Sequence, residues 1–106
     1  MIEHYTYRVT WSPEDQEYVA TVLEMPSLSW LEPDELAALS GIKKLVAQVA
    51  QDMHANGEEI PQAFADRTYS GNLSLRIPPE LHRRVAMEAQ EQGISLNRLL
   101  SAKIAA

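Results

Sequence analysis

Residues 72–100 decide the fold: Asn72-Leu73-Ser74-Leu75-Arg76-Ile77, then Pro78-Pro79-Glu80-Leu81, then Gln92-Gly93, then Ile94-Ser95-Leu96-Asn97-Arg98-Leu99-Leu100. The first six residues alternate polar and apolar, which is the pattern of a strand with one buried face. The proline pair stops that alternation. Pro79 then suits the first turn of a helix, because it has no amide to leave unpaired. Leu81, Val85 and Ala89 recur every four residues along this helix, and Gly93 supplies a left-handed stop. Ser95 is a favourable N-cap for a second helix, with Leu96, Leu99, Leu100 and Ile104 on one face. The order over residues 71–105 is strand, helix, helix.

A lone six-residue strand with two short helices can neither satisfy its ladder nor bury its apolar stripes. Size therefore predicts a second copy, as a homodimer or a tetramer. Antiparallel pairing of two such strands turns Leu73, Leu75 and Ile77 toward the helices, where Leu81, Val85, Leu96, Leu99 and Leu100 complete a shared dimer core. Asn72, Ser74 and Arg76 then project from a two-stranded ribbon. A ribbon of that width fits the DNA major groove, where Asn pairs with adenine, Arg with guanine and Ser with either. The amides at the start of the second helix, with Ser95, Asn97 and Arg98, suit phosphate oxygens and would fix register without reading bases. Against this stand plainer readings, in which the polar strand face is a solvated hairpin edge and Ser95 only caps its helix. His82-Arg83-Arg84 reads as a solvated helix face in preference to a basic patch.

Upstream, residues 4–11 alternate, with Tyr5, Tyr7, Val9 and Trp11 on one side of a predicted strand. Ser12-Pro13-Glu14-Asp15-Gln16 is turn-rich, and residues 17–23 are β-branched and aromatic enough to return as an antiparallel partner. Residues 27–31 read as a third, short strand. Glu32-Pro33-Asp34-Glu35 marks a helix entry with Glu32 at the cap, and Leu36, Leu39, Ile42, Val46, Val49 and Met53 form a stripe that ends at Asn56-Gly57. Gly41 inside that helix costs about 1 kcal/mol relative to alanine, which points to close packing against it. A short strand is expected near residues 63–68. Tyr69-Ser70-Gly71 is the expected hinge between an N-terminal domain, residues 1–69, and a C-terminal one, residues 70–106. The predicted fold class is α+β.

The 106-residue chain is 45% hydrophobic and 23% charged, enough to build a small core, so global disorder is not expected. It has no cysteine, which removes disulfides, thiolate zinc sites, iron–sulfur ligation and a cysteine nucleophile. His4, His54 and His82 are far apart, and no metal or other cofactor is expected. No apolar run approaches the roughly 20 residues of a membrane span, and the first residues lack a signal peptide's order, so a cytoplasmic protein is expected. The formal charge of −6 hides an asymmetry: residues 1–69 carry four Lys/Arg against twelve Asp/Glu, and residues 70–106 carry five against three. Only the second part has the sign that an anionic polymer requires.

The run from Asn72 to Ala86, followed by Gly93-Ile94-Ser95-Leu96-Asn97-Arg98, resembles the ribbon-helix-helix repressors, and most closely the C-terminal domain of HicB-type antitoxins. The similarity covers residues 71–105. It implies that Asn72, Ser74 and Arg76 occupy the family's base-contacting strand positions, and that Ser95 and Asn97 begin its phosphate-anchoring helix. The N-terminal part is similar to the partial ribonuclease-H-like HicB domain through Trp11, Tyr18-Val19-Ala20, Glu24-Met25-Pro26-Ser27-Leu28-Ser29 and Pro33-Asp34-Glu35-Leu36. Ser27, where the family commonly has Gly, and Trp30-Leu31-Glu32 before Pro33 depart from that pattern. The resemblance implies a DNA-binding repressor that autoregulates its operon as the antitoxin of a HicA/HicB-type toxin–antitoxin pair.

Two other classes compete. The acidic N-terminal part reads either as a solubilising surface around a small core or as a docking surface, and the second would serve a protein-interaction module that neutralises a small basic RNA-cleaving toxin, with little DNA binding of its own. A magnesium nuclease would need clustered carboxylates, and Glu3, Glu24 and Asp52 fall in no such pattern. No nucleophile elbow, phosphate-binding loop or dinucleotide fingerprint is present. A non-enzymatic protein is expected.

Overall fold

A computed structural model describes residues 1–106 as two compact units, Met1–Tyr69 and Ser70–Ala106. The architecture is α+β: a three-stranded antiparallel sheet and one long helix in the first unit, two shorter helices in the second.

In the first unit, β1 (Tyr7–Ser12), β2 (Glu17–Val22) and β3 (Ser29–Glu32) pair in that spatial order. Tyr7 stands opposite Val22, Trp11 opposite Tyr18, and Ala20 opposite Trp30. This register puts Tyr7, Val9, Tyr18, Ala20 and Val22 on one face, where α1 (Glu35–Ala55) covers them with Ala38, Ile42, Val46 and Ala50. The Trp11 and Tyr18 rings meet edge to face at 5.0 Å, although Trp11, expected inside, is about half exposed. β1 begins three residues later than the alternation predicted, because residues 2–4 form a 3-10 turn closed by Tyr5 N–H onto the Ile2 carbonyl.

The helix entry also differs from expectation. Asp34, not Glu32, is the N-cap, and its carboxylate accepts the Ala37 amide at 2.9 Å. Asp is a good cap residue because its short carboxylate reaches that amide from an extended backbone. Moving the start to Glu35 leaves Leu36 on the outside, 75% exposed, while the rest of the predicted stripe packs inward. The Gly41 expectation holds, since the Trp30 indole lies directly on it.

After Gly57, at φ 73°, the chain returns through Ile60 and Ala63, which join the core. The predicted strand over residues 63–68 is a 3-10 turn, Phe64–Asp66. Its Phe64 amide donates to the Glu24 carboxylate at 3.0 Å, and Pro61 has no amide to give a ladder. Glu24, buried at the end of the hairpin, also accepts the Thr6 amide at 2.8 Å and the Thr6 hydroxyl at 3.2 Å. The Tyr5 hydroxyl donates to the Pro61 carbonyl. These bonds tie both ends of the unit to its middle.

In the second unit, α2 (Pro79–Gln92) and α3 (Leu96–Ala105) form a helical hairpin around Val85, Ala89 and Leu99, flanked by Ile77, Ile94, Leu96 and Leu100. Pro79 occupies the first turn of α2. Gly93 closes it at φ 68°, and the following Ile94 amide returns to the Ala89 carbonyl at 3.1 Å. That is a left-handed cap whose next residue packs into the core. Lys103 on α3 pairs with Glu88 on α2 at 3.2 Å.

Candidate nucleic-acid interface

The candidate surface lies wholly in the second unit. Residues 70–78 have no regular secondary structure; Gly71 takes φ 84°, and the Asn72 amide donates to the Ser70 hydroxyl at 3.0 Å. The six residues expected as a strand therefore form no ladder within one chain. The unit contains no other strand that could receive their hydrogen bonds.

Their side chains divide unevenly. Asn72, Ser74 and Arg76 are exposed. Ile77 packs on the helical hairpin, but Leu73 is 80% and Leu75 57% exposed, and Leu81 is also exposed. These three leucines, expected in a core, are open in the single chain. Leu73 and Leu75 lie two residues apart on one short segment, so their exposure leaves an adjacent apolar pair open to water. With Asn72 they form one wall of a groove of about 620 Å³, whose other wall is Asn97, Leu100, Ser101, Ile104 and Ala105 of α3. Ser101 and Ala105 were not singled out in the sequence. Their signal is the spacing Asn97, Ser101, Ala105, which places small or polar residues on one line of the helix beside Leu100 and Ile104.

The start of α3 is built as the sequence predicts. Ser95 is extended, and its hydroxyl accepts the Arg98 amide at 3.1 Å. The preceding amides of the first turn have no intrahelical acceptor, so Leu96 and Asn97 present free N–H groups at the positive end of the helix dipole. Asn97 and Arg98 are exposed beside them. One segment thus offers Asn72, Ser74 and Arg76, and one helix end offers Ser95, Asn97 and Arg98. Only Asn72 and Asn97 among these six line the same groove.

The carboxylates behind the nuclease alternative are not assembled. Glu24 is buried in the first unit with its oxygens on Thr6 and Phe64, and no three metal-ligating side chains come together anywhere in the chain. Burial pushes the Glu24 carboxyl up, but hydrogen bonds from the Thr6, Phe64 and Glu24 amides and the Thr6 hydroxyl outweigh it and hold the group below the usual range. This is a structural carboxylate. No helix is long and apolar enough to cross a membrane.

Residues 54–104 match the model of one protein family, described as the HicB family. The matched stretch runs from the last turn of α1 through the return segment and almost all of the second unit, and leaves β1, β2 and β3 outside it. No curated protein and no solved structure matches the chain.

Proposed function

From the HicB-family match over residues 54–104, we propose that this chain is a non-enzymatic HicB-type antitoxin whose second unit is a ribbon-helix-helix DNA-binding domain and whose first unit is a partial ribonuclease-H-like domain. The observation that carries the DNA reading is the unpaired segment of residues 72–77 with Leu73 and Leu75 exposed beside the α3 groove. A second copy supplies what is missing. Antiparallel pairing of two such segments satisfies both ladders and buries both leucine pairs over α3. Asn72, Ser74 and Arg76 of both copies then face outward together, in a form that the major groove admits. The two α3 N-termini flank the ribbon and hold phosphates through free amides, Ser95, Asn97 and Arg98.

Two-fold symmetry of the homodimer requires a palindromic site. With a formal +2 on residues 70–106, binding is modest and falls steeply with salt. The function is repression of the chain's own operon in the cytoplasm. Its first unit, formally −8 from four basic and twelve acidic residues, faces a small basic HicA-like toxin.

The test is a mobility shift of the full chain on its own upstream DNA at two salt concentrations, beside Arg76→Ala. A salt-sensitive, competitor-resistant shift that the variant loses while remaining dimeric supports the reading. Wild-type affinity in a dimeric Arg76→Ala protein overturns it.

A further inference from the structure

Asn56-Gly57 closes α1 and belongs neither to the core nor to the candidate DNA surface. The chain has three asparagines, and only this one precedes a glycine; Asn72 precedes Leu73 and Asn97 precedes Arg98. Asparagine before glycine carries a chemistry of its own. The glycine amide nitrogen can attack the asparagine side-chain carbonyl, because the glycine backbone turns freely and no Cβ obstructs the approach. Leu73 and Arg98 obstruct it at the other two positions.

What holds the pair decides whether the folded chain permits that attack. Asn56 is the C-cap at φ −89° and ψ 6°, and Gly57 follows at φ 73°. Main-chain bonds close the cap: the Asn56 amide donates to the Asp52 carbonyl at 3.0 Å, the Gly57 amide to His54 at 3.1 Å and the Glu58 amide to Met53 at 2.8 Å. While the Gly57 nitrogen is committed to His54, the closed cap withholds the nucleophile. Little else keeps it shut. Residues 54–59 are all exposed, and a Cβ at Gly57 would meet no atom within 4 Å. An exposed last turn with so few neighbours opens at small free-energy cost.

We propose that Asn56 is a site of spontaneous covalent modification, in which it closes a succinimide with Gly57 during transient opening of the last turn of α1 and reopens as isoaspartate. Hydroxide takes the Gly57 amide proton, the nitrogen bonds to Asn56 Cγ, and the Cγ–Nδ2 bond breaks with release of ammonia. Water then opens the ring at either carbonyl. Breaking the bond from the Gly57 nitrogen to the Asn56 main-chain carbonyl carbon leaves isoaspartate, and breaking the bond to Cγ leaves aspartate. The sum consumes one water and releases one ammonia, and nothing is oxidised or reduced.

Both products put a carboxylate at the negative end of the α1 dipole, where it is unfavourable. Isoaspartate does more, because its main chain runs through Cβ and gains a carbon before Gly57. The Gly57 and Glu58 amides then lose their reach to His54 and Met53. Those bonds aim the return segment, whose Ile60 and Ala63 pack into the core and whose Phe64 amide binds Glu24. Modification of one exposed residue thus loosens the first unit irreversibly, and the age of the chain sets its extent. This holds independently of the DNA and toxin readings.

The test is to age the full chain at several mildly alkaline pH values, native and in urea, and to follow it by peptide mapping and by methyl transfer from S-adenosylmethionine through an isoaspartyl methyltransferase. The native chain is expected to gain, at Asn56, the mass of exchanging NH for O, at a rate proportional to hydroxide, while Asn72 and Asn97 stay intact. Methyl acceptance should rise in step, and the aged fraction should melt at a lower temperature than the fresh protein. Asn56→Gln keeps an amide but requires a larger ring, and both signals should be lost. Asn56→Asp, measured fresh, adds the charge without lengthening the main chain, so it should melt between the wild type and the isoaspartate form. A native chain that stays intact at Asn56 overturns the proposal, and reaction in urea alone would identify the closed cap as the reason. Earlier reaction at Asn72 or Asn97, or an isoaspartate form that melts with the fresh protein, overturns it as well.

Discussion

The indole of Trp30 occupies the space that a side chain on Gly41 would need: a methyl group there would overlap the ring nitrogen and Cδ1. This contact fixes how closely β3 lies on α1. It explains why a helix interior holds a residue that costs about 1 kcal/mol relative to alanine. The ring is further held by its N–H, which donates to Glu32 at 2.8 Å. Gly41→Ala therefore expels Trp30 and is expected to destabilise the first unit by about 1–2 kcal/mol despite the gain in helix propensity. In a Trp30→Ala background the same change stabilises by up to about 1 kcal/mol. Urea titration of the four proteins of this cycle measures both signs, and additive effects would show that the contact carries no energy.

Glu24 predicts a pH dependence. Its carboxyl titrates below the ordinary value in the folded chain, so over that window the unfolded chain binds more protons and stability rises with pH. The contribution is fully present above the ordinary glutamate value and is lost as pH falls through the depressed folded one. Glu24→Gln sets an NH₂ against one of the Thr6 or Phe64 amides and is expected to cost about 1–3 kcal/mol near neutral pH. The variant should also flatten the acid limb of thermal stability measured across pH. An unchanged acid limb would assign that limb to other carboxylates.

Much of this fold was legible because local signals and tertiary demands agree. Gly93 and Ser95 are read as stop and cap and act as both, and the Gly41 anomaly points to the contact that Trp30 makes. Misplacements occur where a distant partner decides. Nothing near residues 63–68 reveals that the Phe64 amide goes to Glu24, forty residues away, in place of a strand. The Asp34 cap was hidden because Pro33 suits a first helical turn and drew the entry back to Glu32, although Glu is not a favoured cap residue. The candidate surface was legible as residue types and only in part as geometry. Alternation at Leu73 and Leu75 announces a buried face, but the second unit holds no strand to pair with theirs, and the α3 wall of the groove emerges only once Ser101 and Ala105 are placed.

Ser95 holds two roles that one substitution can separate. Ser95→Ala removes the bond to the Arg98 amide and is expected to cost about 1 kcal/mol in the second unit. Ser95→Asp keeps a good cap and preserves stability, but sets a carboxylate where a DNA phosphate is proposed to sit. Thermal melts should place the aspartate variant close to the wild type, while its DNA affinity falls below that of the alanine variant. Equal affinities in the two variants would show that the α3 N-terminus stands away from the backbone.

Arg76 and Arg98 carry the same charge but are assigned different work, and salt distinguishes them. Each phosphate contact contributes about 0.9 to the slope of log affinity against log salt on duplex DNA. Arg98→Ala removes one such contact from each copy of a dimer, so the slope should shallow by about two while the ratio of specific to nonspecific affinity stays near the wild-type value. Arg76→Ala removes a base contact. It should pull specific binding down toward the nonspecific level, with each lost bidentate contact worth about 1–3 kcal/mol of discrimination. Anisotropy titrations of both variants on operator and scrambled DNA at several salt concentrations separate the two effects. If Arg76→Ala changes the slope and leaves discrimination intact, Arg76 contacts phosphate, and sequence reading falls to Asn72 and Ser74.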